Sequence, residues 1–75
     1  MEIKPDRIEI VSDVNQRDGI GIEVYRNNEM VLEIFRDDTD RTRTVTIYKK
    51  DIPLELMVES TEYFKKEIPW EFIKE

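Results

Sequence analysis

Apolar residues along this chain change their spacing once, close to residue 50, and that change limits the fold more than any other feature. Up to Lys49 they alternate with polar residues, the period of a strand with one buried face. Beyond Asp51 they recur every three or four residues, the period of a helix. Seventy-five residues hold one domain, 1–75, with no repeat, linker or low-complexity stretch to divide it.

Four strands follow from the alternation. Arg7 to Val11 forms the first, starting after Pro5, which has no amide to donate and suits a sheet edge. An extension to Val14, closing through a turn at Asp18-Gly19, fits the pattern equally well. Ile20 to Arg26 is the second strand, with Ile20, Ile22 and Val24 on one face and Tyr25 on the other. Met30 to Arg36 is the third. A loop of three residues, Asn27 to Glu29 with Asn28 left-handed, pairs Val24 with Leu32 and Ile22 with Ile34, which keeps aliphatic residues together. Arg41 to Lys49 is the fourth strand; a two-residue loop at Thr39-Asp40 pairs Ile34 with Val45 and Leu32 with Ile47. Connections this short favour an antiparallel meander, because parallel crossovers need about a dozen residues or more.

A helix follows. Asp51 is placed to cap its first turn, where Pro53 is also tolerated. Leu54, Met57, Val58, Thr61, Phe64 and Ile68 form one stripe, expected to face the sheet, with Leu56 and Tyr63 on the opposite side. Pro69 ends the helix, and the apolar Trp70-Glu71-Phe72-Ile73 segment is expected to fold back onto the helix or the outer sheet face. The fold class is therefore α+β: a four-stranded, mainly antiparallel meander sheet followed by one helix on one face, ββββα, with a short apolar C-terminal segment.

Composition excludes several functions. Cysteine and histidine are both absent, which removes thiolate chemistry, zinc-thiolate sites, the usual triads and imidazole ligands. Eighteen acids against twelve bases leave a net charge of −6, unfavourable for binding nucleic acid. No run of about 18 apolar residues could span a bilayer. The opening Met1-Glu2-Ile3-Lys4-Pro5 lacks a signal peptide's basic and apolar segments, so a cytoplasmic location is expected.

Catalysis finds little support. The only glycines are Gly19 and Gly21, too few for a phosphate loop, and neither Ser12 nor Ser60 stands in a nucleophile motif. The stretch from Asp13 departs from a calcium-binding loop: Arg17 stands where an oxygen ligand belongs, and the twelfth position is Val24. Asp37, Asp38 and Asp40 read as turn residues, flanked by Arg36, Arg41 and Arg43. No catalytic, cofactor-binding or metal-binding residue is assigned, no cofactor is implied, and the chain is read as a non-enzyme.

Binding is the expectation that remains. One helix covers one face of the sheet, so Tyr25, Val31, Phe35 and Tyr48 should be left on the other as an apolar patch. A core in so short a chain rarely supplies more than about 3–5 kcal/mol, and association would add to it. The partner-binding site is therefore expected at Tyr25, Val31, Phe35 and Tyr48, and the partner is a protein, a second copy of the chain included. The alternative is an acidic inhibitor, of the immunity-protein or nucleic-acid-mimic kind, that meets a basic partner through Glu55, Glu59 and Glu62. Residues 51–75 carry net −4 of the total charge.

Overall fold

The computed structural model describes residues 5–13 and 18–73. Four strands, β1 (Arg7–Asp13), β2 (Gly19–Arg26), β3 (Glu29–Asp37) and β4 (Thr42–Ile47), form one sheet in sequence order, each antiparallel to the next. One helix, α1 (Leu54–Glu67), follows, as the period change requires. The continuation of the first strand to Val14 and the loop through Arg17 lie outside the described residues.

The hydrophobic pattern selects the register. Ile22 pairs with Ile34 and Val24 with Leu32, while Ile34 pairs with Val45 and Leu32 with Ile47. The turns reach those pairings by other routes than expected. Between β2 and β3 the loop is Asn27-Asn28 alone, both left-handed at φ 52° and 63°, the geometry of a two-residue hairpin whose twist suits its strands. The ladder slips by one residue between Val24 and Tyr25, so a β-bulge takes up the residue that a three-residue loop would have held. Between β3 and β4 the turn spans Asp38 to Arg41, with Arg41 at φ 56°. The Asp37 carboxylate accepts from the Thr39 and Asp40 amides at 3.0 Å each. Lengthening a hairpin loop symmetrically leaves the register unchanged.

The helix is rotated from the expected orientation. Leu56, Ser60 and Phe64 are its buried residues and Ile68 continues the row, whereas Thr61 and Val58 are exposed and Leu54 is 72% exposed. Leu56 and Tyr63 thus belong to the core side, with Met57 at its margin. Ser60 explains the rotation. A small side chain lets the helix lie close to the sheet, and its hydroxyl donates to the Leu56 carbonyl at 2.7 Å, leaving no unmet polar group. Asp51 does not cap the helix. It is itself left-handed, at φ 60°, and the Pro53 carbonyl accepts the first helical amides, from Leu56 and Met57. Ile22, Val24, Val31, Leu32 and Ile34 complete the core.

The C-terminal segment lies neither on the outer face nor along the helix. It closes the turn end of β3 and β4 on the helix side, where Arg36 and Arg43 are opposite each other. Arg36 is buried, ion-paired with Asp38 at 2.9 Å, and donates to the Pro69 carbonyl at 2.6 Å. Arg43 donates to the Trp70 carbonyl, and its guanidinium lies 4.0 Å from the Trp70 ring centre and 4.2 Å from that of Phe72. The Ile73 amide donates to Asp38. Two arginines thus hold an aromatic tail by its carbonyls and rings.

Candidate interaction surface

The outer sheet face does not carry the expected patch. Val31 is buried as part of the helix-side cluster, because the bulge beside it re-aims its side chain. Phe35 is 1% exposed. Its ring lies over Gly19 and Gly21 of β2: a Cβ on Gly21 would come within 2.8 Å of the ring and collide with the Ile34 carbonyl oxygen. An aromatic covering glycines on a neighbouring strand fills space that their missing side chains leave. Tyr25 is half-buried, with the Arg7 guanidinium 3.9 Å above its ring, and its hydroxyl donates to Glu23 at 2.8 Å. That hydrogen bond, with partial desolvation, pushes the Tyr25 phenol above its ordinary value, against the opposing effect of Arg7. Tyr48, at the end of β4, is 52% exposed. The four residues do not make one surface.

Across the same face Glu9, Glu23 and Glu33 pair in a row over three strands. Like charges directly opposite one another are unfavourable. Arg7 relieves the row by its ion pair with Glu9 at 2.7 Å, and Tyr25 by its bond to Glu23. Among the described residues no group of three acidic side chains is arranged to hold a metal ion.

On the helix side, coverage is uneven. An α-helix with its side chains is about 10–12 Å across, whereas four strands about 4.8 Å apart present a wider surface. One helix therefore leaves an edge uncovered. Glu59, Glu62, Tyr63 and Lys66 line a groove of about 330 Å³ with Pro5 and Ile8, so this flank of α1 faces β1. At 100° per residue, Met57 and Thr61 lie on the opposite flank, towards β4, whereas Leu54 and Val58, each two residues from a buried position and so about 160° from it, face away from the sheet. Val45 and Ile47 of β4 point to the helix side, as their pairing with Ile34 and Leu32 requires, yet they are 47% and 54% exposed. Val58 is 48% exposed. Val45 and Ile47 thus form an exposed aliphatic border along the β4 edge of the domain.

The backbone of β4 adds to that border. The Tyr48 amide donates to the Val31 carbonyl at 2.9 Å. Alternation along an antiparallel ladder then turns the amides and carbonyls of Thr44 and Thr46 towards β3, and those of Val45 and Ile47 outward. The exposed aliphatic residues and the outward-facing backbone groups are the same two residues.

Sequence reasoning missed this site because Val45 and Ile47, paired with Ile34 and Leu32, read as covered by the helix. The available signal was the width of the sheet. Glu55, Glu59 and Glu62, by contrast, are exposed on the helix as expected, and two of them border the groove with β1. Among the described residues no helix is long and apolar enough to cross a membrane. Compared with family models, curated proteins and solved structures, the chain matches none.

Proposed function

We propose that this chain is a non-enzymatic, cytoplasmic protein-binding domain, and that its binding surface is the β4 border rather than the outer sheet face. One observation carries the reading: Val45 and Ile47, each about half exposed, are the β4 residues whose backbone amides and carbonyls face outward. Contiguous apolar surface of this kind on a small soluble domain marks an interaction site. An extended segment adding to β4 would gain main-chain hydrogen bonds and cover Val45 and Ile47 at once. The test is capture by immobilised protein from an extract of its own cells. Ile47→Lys should lose what the wild-type chain retains while its circular dichroism stays the same. An identical set of retained proteins from both would remove the reading.

A second reading keeps the acidic helix flank. Glu55, Glu59 and Glu62 lie away from β4, so a basic partner could meet them without using the apolar border. Its mark is salt dependence, since binding carried by exposed charges weakens as ionic strength rises, whereas binding through the β4 border should barely respond.

A further inference from the structure

We propose that the chain forms a two-fold homodimer in which β4 pairs antiparallel with β4 of a second copy about Thr46, joining two four-stranded sheets into one of eight. The inference rests on the reading that the β4 border binds protein, and it names the partner. Two features of the edge argue for a second copy.

The first is self-complementarity. Sliding the pairing by one residue would set helix-side residues against outer-face ones, so only alternate registers are open. With the axis at Thr46, Val45 meets the partner's Ile47 and Thr44 meets the partner's Tyr48. Aliphatic then faces aliphatic on the helix side, and Thr faces Thr and Tyr on the other. With the axis at Val45 instead, Ile47 would face a second copy's arginine at position 43. The backbone agrees with the first choice, because Val45 and Ile47 carry the outward-facing amides and carbonyls.

The second is charge. At net −6 two copies repel unless their acids are kept apart. The helix places Glu59 and Glu62 on its β1 flank, and the flank towards β4 carries Met57 and Thr61, neither of them acidic. Of the bases in and beside β4, Lys49 is paired with Glu29 and Arg43 with the Trp70 carbonyl.

The absence of cysteine makes the test clean. In this register Thr46 lies across the axis from its own counterpart in a non-hydrogen-bonded pair, with Cα atoms about 4.5 Å apart, inside the span of roughly 4.4–6.8 Å that a disulfide bridges. Thr44 and its counterpart are four residues out of step, about 14 Å apart. Under mild oxidation Thr46→Cys should therefore convert to a covalent dimer and Thr44→Cys should not, while light scattering gives the wild-type chain twice its monomer mass at high micromolar concentration. A monomeric mass overturns the proposal, and so does a dimer that Thr46→Cys fails to link. If the chain is monomeric yet Ile47→Lys still abolishes capture from extract, the second copy is excluded and the β4 binding surface stands. If capture ignores Ile47→Lys, it is the binding surface itself that fails.

Discussion

Along β1, the outer-face residues Arg7 and Glu9 form an ion pair, Pro5 precedes the strand, and the Asp6 carboxylate accepts from the Asn27 amide. The flank of α1 that carries Glu59, Glu62, Tyr63 and Lys66 comes down beside Ile8. Along β4 the outer face carries Thr42, Thr44 and Thr46, the helix face carries Arg43, Val45 and Ile47, and no proline or bulge interrupts the pairing with β3. Charges, prolines and covering elements are the devices by which proteins keep edge strands from pairing with other chains. One edge has them along its length, and on the other the covering segment stops at Arg43. The two strands read alike as alternating sequence, so what separates them is where a single helix comes down and how the charges are shared out. The undefended edge is the one on which binding is proposed.

The tail is the one device β4 has, and it reaches only as far as Arg43. Removing its anchor gives the largest expected effect. Asp38→Ala leaves the Arg36 guanidinium buried without its carboxylate, and uncoupling a buried pair in this way costs about 3–5 kcal/mol. A core of this size supplies a similar amount, so the variant should be largely unfolded or close to it at room temperature. The urea midpoint measures this, and the emission of Trp70, the only tryptophan, should shift to the red as the tail leaves Arg43. A midpoint near that of the wild-type chain would mean that the tail does not guard this end of β4.

Smaller in stability but sharper for the comparison is a matched pair of substitutions. Ile10 of β1 and Ile47 of β4 both point to the helix side and are exposed to a similar degree, 49% and 54%. Replacing either with lysine should change monomer stability by no more than about 0.5 kcal/mol, as is usual for exposed positions. Only Ile47→Lys should abolish association in light scattering. If Ile10→Lys dissociates the protein and Ile47→Lys does not, the assignment of the two edges is reversed.

How much of this could be read in the sequence depends on how local the cause is. The strands and the pairing of Ile22 with Ile34 and Ile34 with Val45 follow from period two, because a slip of one residue inverts every side chain. The Asn27-Asn28 turn was less legible, since a two-residue loop with a bulge and a three-residue loop give the same pairing further along. Helix rotation was not legible. Leu54, Val58 and Thr61 make as good a stripe as Leu56, Ser60 and Phe64 by spacing and a better one by polarity. The choice between them turns on Ser60 fitting close against the sheet, a tertiary fact. The burial of Phe35 had a cue in Gly19 and Gly21, which become neighbours of the ring only once β2 and β3 are in register. The expected site at Tyr25, Val31, Phe35 and Tyr48 therefore dispersed, and the β4 border emerged from residues assigned to the core.

The defence of β1 has a pH limit, which is the smallest of these effects. The Tyr25 hydroxyl, bonded to Glu23 and stacked beneath Arg7, belongs to the group that relieves the glutamate row beside β1. The phenol is raised above its ordinary value of 10.0, first by the bond to Glu23 and then by desolvation and the charges of Glu23 and Glu9, while Arg7 acts the other way. A group that holds its proton more tightly when folded adds stability that is fully present below its unfolded value and lost as pH rises through its folded one. Stability should therefore decline above pH 10 by an amount that Tyr25→Phe lacks, since phenylalanine keeps the ring beneath Arg7 but has no proton to lose. Urea midpoints for both proteins at about pH 9 and about pH 11 isolate the difference, because the two differ only in the phenol. An equal decline in the two would show that the phenol contributes nothing to that edge. A steeper decline in the wild-type chain would locate part of the protection of β1 in one hydrogen bond between Tyr25 and Glu23.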